Sequence, residues 1–179
     1  GKVTGTGFSL KTQSGANYTV SATENTNETT GRTGTLVVTQ EGSDAKSITI
    51  NLSQSKATVA YVYNLSSNPS RVEFAATGET KTLSISSTKQ KTVNGKNSGS
   101  PVTVNYTTTI SGTGFSSNAG ISQISATENP TDEQRTGTAT IIQNESGKTA
   151  TISLSQAASV ITYENTITAN KTTLTFAAT

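Results

Sequence analysis

Gly137-Thr138-Ala139-Thr140-Ile141-Ile142-Gln143 is followed by Asn144-Glu145-Ser146-Gly147-Lys148, and then by Thr149-Ala150-Thr151-Ile152-Ser153-Leu154-Ser155. Two runs rich in β-branched residues flank a short polar turn. In the second run Ala150, Ile152 and Leu154 take one face and Thr151, Ser153 and Ser155 the other, the two-residue period of a half-buried strand. Two such runs joined by a Gly-containing turn read as a β-hairpin. The same hairpin stands earlier in the chain. There Ile48, Ile50 and Leu52 hold the matching positions and Glu41–Lys46 forms the turn, so both copies are expected to direct the same face to a core.

The hairpin is one part of a long repeat. Arg32-Thr33-Gly34-Thr35 returns 103 residues later as Arg135-Thr136-Gly137-Thr138, and Ser21-Ala22-Thr23-Glu24-Asn25 returns 104 later as Ser125-Ala126-Thr127-Glu128-Asn129. Leu52-Ser53-Gln54 returns as Leu154-Ser155-Gln156, and Phe74-Ala75-Ala76-Thr77 as Phe176-Ala177-Ala178-Thr179, both at 102. Gly5-Thr6-Gly7-Phe8 returns as Gly112-Thr113-Gly114-Phe115. Matches that keep their order while their spacing drifts are the mark of duplicated domains with small loop insertions. Residues 1–55 match the second part of a unit, residues 56–157 make one complete unit, and residues 158–179 match the opening strands of the next. The small, polar stretches Ser55–Ala60 and Ala157–Ser159 read as linkers.

Within the complete unit the expected strands are Ala57–Tyr63, Arg71–Phe74, Glu79–Ser86, Val102–Ile110, Ile121–Glu128, Gly137–Gln143 and Thr149–Ser155. Such runs, spaced over about 100 residues and separated by turn residues, point to an all-β fold of tandem immunoglobulin-like β-sandwich domains, one complete and two partial. No segment carries a helical apolar stripe. Composition agrees: 30% of residues are apolar and 13% charged, with Thr, Ser, Asn and Gly making up much of the rest.

The chain has no Cys and no His, which removes disulfides, thiolate metal sites and the commonest general base. A net charge of +2 implies no polyanionic partner, and no apolar run is long enough to span a bilayer. The chain has no Met either, so a processed form or a window on a longer array is expected. Neither a cofactor, a metal nor nucleic acid is expected to bind, and the chain is not expected to be an enzyme.

Four charged residues invite a structural role. Glu24 and Glu128 occupy equivalent places in the two copies, and Arg32 and Arg135 follow them in the same segment. A carboxylate that recurs once per repeat is better explained by pairing with that arginine than by a glycosidase dyad, which needs two carboxylates in one cleft. The loops 25–32 and 129–135 carry Glu28, or Asp132 and Glu133, next to Asn. Their spacing matches no EF-hand, and a solvated loop is the expected state. Lys89, Lys91 and Lys96 lie in the polar stretch Ser86–Ser100, where Asn94-Gly95 reads as a tight turn. They would make a basic hairpin that reaches a neighbour or an anionic glycan, or else a solvated tip. Tyr61, Tyr63 and Tyr106 are the tyrosines of the complete unit and the candidate contacts for a sugar.

Those residues together resemble a bacterial immunoglobulin-like domain of the type called BACON, found in surface proteins of Bacteroidota and in their phages. The resemblance is carried by Ser125–Asn129, Arg135–Thr138, the alternating hairpin, the closing Leu154-Ser155-Gln156 and the opening Asn170–Thr179, and it covers nearly the whole chain. Many such domains carry a tryptophan in the middle of the unit, and this chain has none. The resemblance implies an extracellular, cell-surface or virion-surface location and a role as stalk, spacer or adhesion module in an elongated or filamentous protein. Neighbouring repeats, or copies of the chain set head to tail, are the expected partners. The alternative is a carbohydrate-binding module of a surface adhesin or glycan-degrading system, with a cell-surface glycan as its ligand.

Overall fold

The structure, a computed structural model, describes every residue except Lys171 and Thr179. It is an all-β, sandwich-like fold. Its strands in chain order are β1 (Lys2–Thr4), β2 (Phe8–Ser14), β3 (Asn17–Ala22), β4 (Arg32–Thr39), β5 (Ser47–Gln54), β6 (Val59–Asn68), β7 (Arg71–Phe74) and β8 (Glu79–Thr82). They continue as β9 (Ser84–Val93), β10 (Lys96–Asn97), β11 (Val102–Thr103), β12 (Tyr106–Ser111), β13 (Phe115–Ser117), β14 (Gln123–Ala126), β15 (Arg135–Gln143) and β16 (Thr149–Gln156). A 3-10 turn, Ala119–Ile121, precedes β14.

The strands group into two compact units whose limits do not follow the sequence repeat. Unit 1 takes Gly1–Leu65, Ser86–Asn105 and Gln143–Lys148; unit 2 takes Ser66–Ile85, Tyr106–Ile142 and Thr149–Thr179.

Unit 2 contains the sheet β12-β15-β16-β7 and the sheet β13-β14-β8. The alternation read in the sequence is present: Ile152 and Leu154 are 0% and 2% exposed, while Ser153 between them faces out. β15 and β16 pair antiparallel from Arg135↔Gln156 to Ile142↔Thr149, which places Ala139 opposite Ile152 on the buried face. β7 then pairs parallel to β16, with Leu154↔Val72 and Gln156↔Phe74. Val72, Phe74, Leu83, Ile121, Ile124, Ala126 and Ile141 fill the space between the sheets. Phe74 from one sheet meets Phe115 from the other at 5.7 Å between ring centroids.

Unit 1 contains the sheet β1-β4-β5, the hairpin β2-β3, and the ladder in which β9 pairs with β6, β10 and β11. β4 and β5 repeat the β15–β16 pairing from Arg32↔Gln54 to Thr39↔Ser47. The expected core face of β5 is uncovered, however. Ile48 is 62% and Ile50 46% exposed: where unit 2 has the three-stranded sheet β13-β14-β8, unit 1 has the two-stranded β2-β3, and among the described residues no strand lies beyond β5.

The two recurring glycine motifs explain one another. Gly112 adopts φ +101°, and a Cβ there would come within 2.6 Å of Thr136 O and 2.7 Å of Gly137 Cα. Gly5, also at φ +101°, stands in the same relation to Thr33 and Gly34. The Gly-Thr-Gly-Phe turn thus lies flat on the Arg-Thr-Gly-Thr strand, and only glycines permit that approach.

Several expected boundaries shift. The run Glu79–Ser86 divides at Leu83, whose N–H donates to Ser122 O, and a ten-residue strand β9 follows; of the two states read for Ser86–Ser100, a basic hairpin or a solvated tip, the hairpin is present as β9 and β10. Val102–Ile110 divides at Val104, whose N–H donates to Ser87 O at 2.9 Å. Ile121 belongs to the 3-10 turn and not to the strand. Val160–Ala178, expected to open the next repeat, forms no strand among its described residues, and Val160, Tyr163, Ile167 and Phe176 are more than four-fifths exposed. A strand with no partner leaves its ladder bonds unmade and does not persist. Lys171 and Thr179 of that stretch lie outside the described residues.

Ile152→Ala is expected to cost about 2–5 kcal/mol in chemical denaturation. Ser153→Ala should stay within about 0.5 kcal/mol of the parent. Ile50→Ala, the equivalent change in the first copy, should cost less than half as much as Ile152→Ala; equal losses at the two isoleucines would contradict the uncovered β5 face.

Candidate functional site

The chain between the two sequence copies, Ser55–Thr58, lies in unit 1 together with the loop after β3 and the β9–β10 hairpin. This junction carries a dense set of polar bonds. Asn25 is its base. It is 4% exposed, its Nδ2 donates to Thr30 O at 3.1 Å and Ser55 O at 2.9 Å, and its Oδ1 accepts from Asn27 N. A short amide carries two donors and an acceptor, so one side chain closes its own loop and holds the chain leaving β5. Ala57 N–H then donates to Asn27 O at 2.7 Å. The second copy is built alike: Asn129, fully buried, donates to Glu133 O and Ala157 O at 2.8 and 2.9 Å, and Ser159 N–H donates to Thr131 O.

Onto the first of these loops comes the hairpin of the complete repeat. Its turn, Asn94-Gly95, has φ values of 50° and 80°, the left-handed pair that a two-residue hairpin turn with native strand twist requires. In that conformation Asn94 engages the linker and the earlier loop at once. Its N–H donates to Thr58 O at 2.8 Å and its Oδ1 accepts from Thr58 N–H at 2.9 Å. Its Nδ2 donates to Glu24 Oε1 and to Asn25 O, both at 3.0 Å. Two lysines flank it: Lys96 Nζ lies 2.6 Å from Glu24 Oε2, and Lys91 Nζ lies 2.7 Å from Glu28 Oε2. Thr26, Val93 and Ser98 complete a crevice of about 250 Å3 between loop and hairpin.

Lys89, farther down β9, binds the turn that precedes β16. Its Nζ is 2.7 Å from Glu145 Oε2 and 5.3 Å from the centre of the Tyr61 ring. The Tyr63 hydroxyl donates to the same carboxylate at 3.1 Å, and Lys148 Nζ donates to Tyr63 O at 2.6 Å. Beneath them Gln143, fully buried, donates to Asn64 O and to Ser87 Oγ.

The electrostatics follow these partners. The hydrogen bond from Lys96, then that from Asn94, holds the Glu24 carboxyl below the usual carboxylate range. Lys89 does the same to Glu145, and Glu145 in return raises the Lys89 ammonium. Partial burial, then the bond to Glu145, raises the Tyr63 phenol.

Of the residues singled out in the sequence, Lys89, Lys91, Lys96, Tyr61 and Tyr63 meet in unit 1, each in contact with a partner inside the chain. Tyr106 is in unit 2, where its hydroxyl donates to Gly120 O. The Arg–Glu pairs expected within each loop do not form. Arg32 donates to the carbonyl and hydroxyl of Thr23, and Arg135 to the backbone carbonyl of Glu128. The guanidinium reaches the nearer backbone of the turn, and Glu24 is left to Lys96. Among the described residues no ion pair includes Glu128, and no group of three His, Cys, Asp or Glu side chains is placed to hold a metal. Sequence reasoning missed the buried amides Asn25, Asn129 and Gln143, although the first two ended a motif that recurs intact. A depression of about 600 Å3 in unit 2, lined by Arg71, Gln134, Thr136 and Thr138 among others, contains no aromatic ring and no nucleophile–base pair.

No protein-family model matches the chain, and no curated protein matches it. A solved structure to which it is similar is the NMR structure of a protein from Bacteroides vulgatus ATCC 8482, 24% identical over 58% of this chain and 93% of that one, with a TM-score of 0.39.

Asn94→Gly keeps the left-handed turn and removes the three side-chain bonds. It should cost about 1–3 kcal/mol and speed amide exchange at Thr58 and along Val93–Ser98, as read by hydrogen–deuterium exchange.

The pH dependence has two limbs. Glu24 and Glu145 titrate lower in the fold than their ordinary value of 4.5, so their contribution is full above that value and is lost as pH falls through the lowered one. Lys89 and Tyr63 titrate higher than their ordinary 10.5 and 10.0, so theirs is full below those values and is lost as pH rises through the raised ones. Thermal unfolding should show a plateau between, and Glu145→Gln should shrink both limbs.

Proposed function

We propose that this chain is a non-catalytic structural repeat, of the BACON-like immunoglobulin type, from an elongated or filamentous protein of the cell exterior or a virion surface. Its role in that protein is stalk, spacer or adhesion module. The observation that supports this most directly is the repeat junction. Asn94, Lys91 and Lys96 of the complete repeat grip Glu24, Asn25 and Glu28 of the preceding copy. The residues that recur between the copies serve backbone bonding in both: the asparagines hold the exit of the last strand, and the arginines hold their turns. Residues kept for chemistry would instead converge on one cleft. The natural partners on this reading are neighbouring repeats and copies of the chain set head to tail.

A second reading, a carbohydrate-binding module, has one feature in its favour: Tyr61 is 49% exposed with a lysine over its ring. The two readings separate experimentally. Antibodies raised against the 86–105 hairpin should decorate surface appendages in electron micrographs of the native assembly, and a glycan array should show no saturable binding. Glycan binding abolished by Tyr61→Ala would overturn the structural reading in favour of the second. Turnover of a glycoside, ester or peptide abolished by Glu128→Gln would overturn both.

A further inference from the structure

We infer that the outer edge of β5 is a receiving site for the segment Thr172–Ala178 of a second copy, which adds to it as a parallel strand. The inference rests on the structural-repeat reading and names the contact through which copies would join.

The complete repeat shows what such an edge accepts. There β7 pairs parallel to β16, Ser153↔Arg71 through Gln156↔Phe74, with Val72 and Phe74 buried. The chain leaving β7 is held as tightly as the strand. Ala157 N–H donates to Phe74 O at 3.0 Å, Asn129 N–H donates to Ala76 O at 2.7 Å, and Gln156 Nε2 donates to Ala75 O at 3.1 Å and to Ala76 O. Each of these receiving groups recurs in the first copy, as β5, Ser55, Asn25 and Gln54. Gln54 keeps the bond that holds it in place, Nε2 to Thr23 O at 2.8 Å, just as Gln156 keeps its bond to Thr127 O. Among the described residues β5 ends its sheet, and nothing pairs with its outer side.

The incoming sequence is also on the chain. Val72-Glu73-Phe74-Ala75-Ala76 recurs 102 residues later as Leu174-Thr175-Phe176-Ala177-Ala178, with both apolar positions kept. Leu174 and Phe176 are 68% and 86% exposed, and the described residues from Val160 to Ala178 join no sheet. Carrying the β7–β16 register across gives Leu52↔Leu174 and Gln54↔Phe176. That register sets Phe176 over a groove of about 390 Å3 whose lining includes Phe8, Val20, Ala22 and Leu52. Phe8 is the counterpart of Phe115, the ring that Phe74 meets in the complete repeat. Strand addition makes the main-chain ladder while the groove selects the alternate side chains. Donor and receiver are different surfaces, so the contact propagates as an open head-to-tail chain.

Sedimentation of the 179-residue chain over a concentration series, up to about 1 mM, tests this. Mass should rise with concentration beyond the dimer. The double variant Leu174→Asp, Phe176→Asp should weaken association at least about a hundredfold and leave the thermal unfolding of the chain unchanged, since both side chains are exposed within it. A fluorescein-labelled peptide of residues 172–178 should bind that variant, and the same peptide carrying the two aspartates should not. A chain monomeric at every concentration, association that survives the double variant, or a peptide that fails to bind would each overturn strand addition. None of these results touches the structural-repeat reading, which falls instead to glycan binding or turnover.

Discussion

Asn94 spends every polar group except its own carbonyl on other segments of the chain. Its N–H and Oδ1 close on Thr58, and its two Nδ2 protons go to Glu24 and to Asn25 O. It can do so because it sits left-handed, at φ 50°, a conformation asparagine tolerates better than any other residue with a side chain of that length. Moving the residue to ordinary strand geometry would turn the amide away from the loop and open the turn at the same time. The lysine–carboxylate pairs on either side are largely solvated, and pairs of that kind are weak singly. They depend on Asn94 to bring hairpin and loop into register, after which they add direction and charge complementarity.

The two units solve the problem of cohesion differently. Unit 2 buries Val72, Phe74, Ile121, Ile124, Ile141, Ile152 and Leu154, an ordinary apolar core. In unit 1 the buried apolar side chains are Leu36, Ala57 and Val104, while Asn25, Ser87, Gln90, Thr92 and Gln143 are buried beside them. These polar groups are bonded: Ser87 Oγ to Val104 O, Gln90 Nε2 to Lys91 O and Gly99 O, and Thr92 Oγ1 to Ala60 O. Buried amides of this sort specify one arrangement sharply, because any other leaves a desolvated donor unmade. A junction between repeats gains from that selectivity more than from a large greasy contact, which tolerates sliding.

Much of this was legible in the chain. The β15–β16 hairpin and its earlier copy follow from strict alternation, and the Asn94-Gly95 turn from its two residue types. The pairing of Gly112 with Gly137 was present as two motifs that recur together, though only their contact shows why. What resisted reading was long-range. Ser86–Val93 carries Ser, Thr, Lys and Gln in place of an apolar face, so periodicity does not mark it as a strand; its inward positions Ser87 and Gln90 are satisfied by backbone of later segments, at Val104 O and at Ser98 O and Gly99 O. Likewise Glu24 lies near Arg32 in sequence, yet its partner is Lys96, seventy-two residues on. Ile48 and Ile50 alternate as core residues should, and their exposure depends on which strands pack on and beside β5, which no local pattern encodes.

Tyr63 sits where two of these features meet, its phenol hydrogen-bonded to the carboxylate that also holds Lys89. The chain has five tyrosines and no tryptophan, so no indole masks or drains their emission. A phenol bonded to a carboxylate can pass its proton across in the excited state and go dark, whereas a phenol released to water shines. The contact between β9 and the turn before β16 therefore carries its own optical indicator, and the opening and closing of this part of the molecule can be followed by ultraviolet light without attaching any label.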